Sequence, residues 1–204
     1  MANAVSSPAD VLNVALRRIG YKLRVASLYD GSKAGSAALD IYAQTRDAVL
    51  EQDDWDFAEG NVALTMLKQA PVGGYIPPLV WSSAYPPLPW IFEYAYPADC
   101  LKVRAVKPTP IFLPEFDPQP HVFSLANDSS LSPAAKVILC NVPGAMLVYT
   151  RQVTDPTQWK PDFVEEIAAA LGRRLSAQLM NLDVTKLEAG DEQASMSIAE
   201  SQEG

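Results

Sequence analysis

The distribution of proline constrains the fold of this chain more than any other feature of its sequence. Of the 17 prolines, all except Pro8 lie between Pro71 and Pro161. Proline inside a helix removes a backbone hydrogen bond and clashes with the preceding turn, so long helices are expected mainly at the two ends of the chain. The central segment is expected to form strands and loops.

The two proline-poor ends carry apolar residues at helical spacing. The first predicted helix begins after Ser7, a capping residue, and ends near Gly20. The second begins at Ser32, and the third, which has the strongest apolar face, begins at Lys160. A fourth segment, 184–201, has a thinner apolar stripe, so we expect it to be helical only against a partner.

The centre contains five short segments that are rich in β-branched and aromatic residues and are bounded by proline or glycine, which is typical of strands. They are Trp90–Pro97, Cys100–Val106, Pro120–Ala126, Ala135–Val142 and Ala145–Val153. Their short connections predict antiparallel pairing. The segment Pro71–Pro89 has too much proline for a central strand and is expected to be a surface loop, with Tyr75, Trp81 and Tyr85 as partner-binding residues.

These patterns predict an α+β fold: a terminal helical bundle of about four helices with an inserted antiparallel β region. We expect a single domain over 1–204, in which 1–70 and 160–204 form the bundle and 71–159 form the β and loop insertion. The two chain ends must then lie close together.

Composition limits the classes of partner. The net charge is −8 and the sequence pI is about 4.6, so the chain lacks the basic surface that tight general DNA binding requires. No stretch approaches eighteen apolar residues, and the N-terminus has no secretion-signal pattern, so neither a membrane span nor a leader is expected. Cys100 and Cys140 lack metal-site spacing and are expected to be buried thiols in a reducing compartment.

The sequence offers little for catalysis. His121 is the only histidine, and the glycine-rich phosphate-binding, nucleophile-elbow and zinc-protease motifs are absent. We therefore expect no enzymatic activity and no cofactor. The remaining enzymatic alternative is a divalent cation held by Asp53, Asp54 and Asp56, because carboxylate oxygens are the ligands that such ions take.

The same acids have a structural interpretation, which we favour. Acids near the end of a helix interact unfavourably with its dipole, so they are expected to point into solvent. Trp55 and Phe57, two residues apart, would then lie on one side of an extended segment and act as structural anchors, as would Phe163 in the third helix.

The C-terminal segment is predicted to be a docking element rather than part of the core. Its thin stripe consists of Leu187, Ala194 and Ile198, and the surrounding residues are mostly acidic. Such a segment gains order chiefly when a partner covers the stripe.

The order of several motifs resembles the tail tubular protein A family of short-tailed phages. The motifs are "LNxALxxIG" from Leu12, "RDAVLExxxWxFA" from Arg46, "YPADCLKV" from Tyr96 and "DPxxWxPxFxEEIAxxL" from Asp155. Together they span nearly the whole chain. These proteins are head-to-tail adaptors.

The resemblance implies a structural virion protein in the tail or neck, assembled in the host cytoplasm. It implies a ring of copies of this chain, usually a dodecamer, between the portal protein and the tail nozzle protein. DNA would pass through the channel without specific binding. Two alternatives stay open: the carboxylate-metal enzyme, and a non-viral protein-binding module that uses the aromatic proline-rich loop.

Overall fold

The computed structural model describes residues 5–75, 78–109, 120–176 and 178–179. The chain divides into two compact units. One joins the described parts of Met1–Val49 and Val153–Gly204, and the other is Leu50–Gln152. The helices begin in the first unit, and all the strands lie in the second.

Helix α1 (Pro8–Arg18) begins and ends as its sequence predicts. The hydroxyl of Ser7 accepts a hydrogen bond from the backbone N–H of Asp10, which caps the first turn. At the other end Gly20 has φ +76°, a left-handed conformation that ends a helix at low steric cost. The N–H of Tyr21 then closes the terminus by donating to the carbonyl of Leu16.

Helices α2 (Lys33–Gln52) and α3 (161–176, with 178–179 also helical) complete the helical elements. Ser32 caps α2 by accepting a hydrogen bond from the N–H of Gly35 at 3.0 Å. Gly172 allows α3 to approach α1 closely, since a Cβ at this position would lie 3.3 Å from Cγ2 of Ile19. Apolar side chains from all three helices are buried in this unit, among them Leu12, Leu16, Ala34, Ala38, Leu175 and Leu179.

The β unit contains two antiparallel sheets. The three-stranded sheet has the order β1-β7-β4, and its strands are Glu59–Ala63, Met146–Arg151 and Cys100–Lys107. The four-stranded sheet has the order β2-β3-β6-β5, and its strands are Met66–Gln69, Phe92–Ala95, Ala135–Cys140 and Phe123–Asp128. One apolar core includes residues of both sheets, with Tyr94, Ile138, Cys140 and Leu147 fully buried.

The predicted terminal bundle of about four helices is wrong. The described residues contain three α-helices, and 59–69, which the prediction assigned to the bundle, contain β1 and β2. A proline-free segment is compatible with a strand as well as with a helix, and these two short strands gain their hydrogen bonds by pairing with β7 and β3. The predicted fourth helix, 184–201, lies outside the described residues.

The strand predictions are confirmed. Each of the five segments predicted from composition coincides with one strand, β3 to β7 in chain order, although β4 and β5 continue one and two residues beyond the predicted ends, and the strand pairs of the described residues are antiparallel. The mixture of helices and antiparallel strands is therefore as predicted, whereas the bundle architecture is not. No helix in the described ranges is long and apolar enough to cross a bilayer.

Candidate functional site

The proline-rich loop Pro71–Pro89, described over 71–75 and 78–89, is organised around one backbone carbonyl. The carbonyl oxygen of Pro86 accepts a hydrogen bond from Nε1 of Trp81 at 2.8 Å and another from the hydroxyl of Tyr75 at 3.4 Å. The ring of Tyr85 packs edge-on against Tyr75, with centroids 5.8 Å apart. The loop therefore brings together all three aromatic residues that were predicted to bind a partner.

The same loop exposes apolar surface. Val80 is 79% exposed, Leu88 is 65% exposed and Trp81 is 46% exposed, whereas Tyr75 and Tyr85 are half-buried. The loop therefore carries exposed apolar side chains, these three among them.

A pocket of about 200 Å³ lies between this loop and the four-stranded sheet. Trp81, Tyr85 and Pro87 line it from the loop, and Lys68, Glu93 and Asp128 line it from β2, β3 and β5. We call it the sheet-loop pocket. Trp81 and Tyr85 were predicted as binding residues, but the three charged residues were not singled out in the sequence.

The charged residues of the sheet-loop pocket are unequally paired. Nζ of Lys68 donates hydrogen bonds to Asp128 and, at 2.8 Å, to the hydroxyl of Ser130. It lies 3.5 Å from Oε1 of Glu93, and this oxygen has no hydrogen-bond partner among the described residues. The side chain of Glu93 is only 2% exposed. Thus the pocket contains a deeply buried carboxyl group with an unused acceptor.

This arrangement shifts the pKa values of Glu93 and Asp128 in opposite directions. Burial, followed by a hydrogen bond to Asp128, raises the pKa of Glu93, and the charge of Lys68 opposes the rise only in part. Burial also disfavours the charged form of Asp128, but the hydrogen bonds from Lys68 and Ser130 outweigh it and hold the pKa of Asp128 well below its usual range. The pair therefore favours a proton on Glu93 and a negative charge on Asp128.

The acidic segment after α2 is tied to strand β4. Asp54 accepts a hydrogen bond from Nζ of Lys102 at 2.9 Å and lies 3.5 Å from Nε of Arg104, and these cations lower its pKa. Asp53 and Asp56 are exposed. Nowhere in the described parts of the chain do three histidine, cysteine or acidic residues form a group placed to hold a metal ion. The geometry therefore assigns Asp54 to ion pairs within the protein.

Trp55 and Phe57, the two predicted anchors of this segment, lie side by side. Both rings are half-buried and contact each other with centroids 6.1 Å apart, so they share a side as expected. The segment is not extended, however, because residues Asp56–Ala58 form a 3-10 turn whose fully buried member is Ala58. The two rings are therefore partly buried, and Ala58 is the fully buried residue of the turn.

Arg104 of strand β4 holds this segment through hydrogen bonds from its guanidinium group. Its guanidinium donates to the backbone carbonyl of Trp55 at 2.7 Å, to the hydroxyl of Thr150 at 2.9 Å and to Glu59 at 3.2 Å. The side chain is 9% exposed. Sequence analysis missed Arg104, although a basic residue inside an apolar strand segment was a signal for a buried partner.

In the helical unit Phe163 occupies the core position expected of an anchor. It is fully buried and packs edge-on against Trp159, with ring centroids 4.9 Å apart. Arg18 forms an exposed ion pair with Glu165, and Arg174 donates to the hydroxyl of Thr45 at 2.9 Å. These charged residues hold helices together within the unit.

The remaining predicted residues are His121, the C-terminal stripe and the two cysteines. His121 is exposed, and its backbone N–H bonds to the carbonyl of Val106 in an isolated bridge. The predicted docking residues Leu187, Ala194 and Ile198 lie outside the described residues. Cys100 and Cys140 are buried free thiols, as predicted.

The chain matches no protein-family model and no curated protein.

Proposed function

We propose that this chain is a structural subunit of a short-tailed phage virion, a head-to-tail adaptor. Copies of it form a ring between the portal protein and the tail nozzle protein, around the channel through which DNA leaves the capsid. The order of motifs along the sequence supports this assignment, because the resemblance to tail tubular protein A covers nearly the whole chain.

The observation that carries the proposal is the exposed proline-rich loop. Its aromatic side chains are held by hydrogen bonds to the Pro86 carbonyl and by packing against each other. The loop therefore exposes Val80, Trp81 and Leu88 from an ordered backbone. A pre-organised apolar surface binds a protein partner at a lower entropy cost than a flexible one. Such a surface suits a subunit whose work is assembly.

The charge of the chain agrees with a role around DNA. A net charge of −8 per subunit repels the phosphate backbone, and copies arranged around a channel would multiply that effect. DNA would then pass without being held. The C-terminal stripe of Leu187, Ala194 and Ile198 is proposed as the element that docks on the portal.

Electron microscopy of the purified chain mixed with its cognate portal tests the proposal directly. We expect an additional coaxial ring on the portal, and the same ring after the control substitution Asp53→Asn, which changes an exposed acid outside the loop. Portal particles that never gain density at a saturating excess of this chain would contradict the adaptor assignment.

A truncated chain separates the two proposed contact elements. Ending the protein after Leu182 removes the C-terminal stripe and leaves the proline-rich loop intact. We expect little change in the melting temperature of the isolated protein and a loss of co-sedimentation with portal rings. Full-strength portal binding by the truncated chain would rule out the stripe as the docking element.

The sheet-loop pocket favours one second candidate, a protein-binding module outside a virion. Its aromatic and acidic lining would serve a soluble partner as well as a tail protein. Under that alternative the chain stays monomeric with portal present, and light scattering on the same mixture distinguishes the two cases.

A further inference from the structure

The sheet-loop pocket contains a buried acceptor that the described protein does not use. Glu93 is one of the residues that line the pocket, and its Oε1 is fully buried and accepts no hydrogen bond within the described residues. Nearly all buried polar atoms in folded proteins are satisfied, because leaving one unpaired costs about 1 to 3 kcal/mol. An N–H donor that enters the pocket would remove this cost.

The charge balance favours a cationic donor once Glu93 loses its proton. Lys68 faces two carboxyl groups, and its hydrogen bonds go to Asp128 and Ser130. Without a ligand Glu93 holds its proton, so the cluster is neutral, with one lysine against Asp128. When Glu93 gives up that proton the cluster has a net charge of −1 (one lysine against Glu93 and Asp128), and Glu93 is the uncompensated member. A second positive group beside Glu93 completes the pairing.

The loop side of the pocket adds an aromatic wall. Trp81 and Tyr85 line it, and tryptophan is the side chain that attracts cations most strongly through its ring. The indole N–H of Trp81 is already committed to the carbonyl of Pro86, so only the ring remains to interact with a ligand. The polar residues Ser83 and Asn127 also line the pocket.

A guanidinium group fits these requirements better than an ammonium group. It is planar, stacks on aromatic rings and has five N–H donors. A single guanidinium can therefore donate to a carboxyl group and stack on an aromatic ring at the same time. The chain itself is acidic, with a net charge of −8, which favours a partner with a basic surface.

We propose that the sheet-loop pocket binds the side chain of an arginine presented by a partner protein, with Glu93 accepting its N–H groups and Trp81 stacking against it. Assigning that partner to the phage tail rests on the proposed function. The pocket itself is defined by residues of the β unit alone.

Nuclear magnetic resonance tests the pocket without any partner. The probe is N-acetyl-arginine amide, and its matched control is N-acetyl-citrulline amide, which has nearly the same shape without the charge. Backbone amide resonances of Asn127 and Ser130 report binding. We expect saturable shifts with the arginine probe and at least about ten-fold weaker binding of the citrulline probe, since charge-assisted hydrogen bonds are the stronger ones.

Two variants identify the groups responsible. Glu93→Gln should weaken binding of the arginine probe about ten-fold, and Trp81→Leu should weaken it by removing the ring, together with the hydrogen bond from Trp81 to the Pro86 carbonyl. Asp53→Asn, an exposed acid outside the pocket, should bind as the wild type does. Equal affinity for the two probes, or wild-type affinity in both Glu93→Gln and Trp81→Leu, would overturn the proposal.

The same variants separate this inference from the adaptor assignment. Probe binding in a protein that never adds a ring to the portal would keep the pocket and reject the phage function. If Glu93→Gln and Trp81→Leu form normal rings and the wild type binds no probe, the adaptor assignment stands and the proposed arginine binding is rejected.

Discussion

Nζ of Lys68 lies 3.5 Å from Oε1 of Glu93 and makes no hydrogen bond with it, although the two residues are neighbours on paired strands. The lysine is drawn instead to Asp128 on the opposite edge strand. This asymmetry leaves one buried carboxyl group dependent on a proton, and it makes the stability of the β unit sensitive to pH in a predictable direction.

Replacing Glu93 with glutamine should raise stability relative to the wild type at neutral and alkaline pH. The pKa of Glu93 is raised above 4.5 in the folded state, so the folded wild type holds a proton that the unfolded chain has lost. Its contribution to stability therefore falls as pH rises from 4.5 through the folded-state pKa. Urea unfolding from about pH 4 to pH 8 should show the two proteins diverging over that window.

Asp128→Asn should change stability with the opposite dependence on pH. The pKa of Asp128 is lowered, so its charge stabilises the folded state above 3.8, and this contribution is lost as pH falls below that value. The variant should be less stable than the wild type at neutral pH and approach it in acid.

Parallel pH profiles for the wild type and Glu93→Gln would show that Glu93 does not hold a proton on folding.

Arg104 and Lys102 form a matched pair for testing the attachment of the segment after α2. Arg104→Met should reduce the free energy of unfolding by about 3 kcal/mol, because it removes a nearly buried cation together with its hydrogen bonds to the Trp55 carbonyl, the Thr150 hydroxyl and Glu59. Lys102→Met breaks only an ion pair to the exposed Asp54 and should cost less than about 1 kcal/mol. Equal losses in urea unfolding would show that burial does not distinguish the two cations.

The fold was predictable wherever one residue type sets the local conformation. Ser7, Ser32 and Gly20 act through hydrogen bonds and backbone angles that lie within a few residues, so the limits they predict for α1 and the start of α2 agree with the structure. The strands β1 and β2 were missed because they gain their hydrogen bonds from β7 and β3, far along the chain.

The candidate site was predictable in part for the same reason. Trp81 and Tyr85 stand out locally as aromatics in a proline-rich loop, whereas Lys68, Glu93 and Asp128 come from three separate strands. Their meeting depends on the strand order β2-β3-β6-β5, which local patterns do not specify. Glu93 itself gave a usable signal, since an acid between Phe92 and Tyr94 in a buried strand requires a special environment.

The two thiols should react only when the β unit opens. Burial raises the pKa values of Cys100 and Cys140, so little reactive thiolate is present and access is blocked. A thiol reagent should label neither residue in the native protein within minutes and both in urea. Ser82→Cys, at an exposed loop position, should be labelled at once and so control for the reagent. Rapid labelling of the native wild type would contradict the closed core.

Gly60 is required by the space beside Tyr149 rather than by its backbone angles. The two residues are opposite each other on β1 and β7, and a Cβ at Gly60 would lie 2.7 Å from both Cε1 and Cζ of the ring. The ring cannot shift freely, because its hydroxyl lies 3.2 Å from both carboxylate oxygens of Asp99. We therefore expect Gly60→Ala to lower the free energy of unfolding by about 1 to 3 kcal/mol in urea titrations.

Two further proteins test whether the tyrosine ring causes that loss. Asn61→Ala, at the next and exposed position of β1, should change stability by less than about 0.5 kcal/mol. In a Tyr149→Ala background the ring is gone, so adding Gly60→Ala should cost much less than it does in the wild type. The same cost in both backgrounds would place the strain in the strand backbone, and the close approach of Gly60 to the ring would then have no energetic consequence.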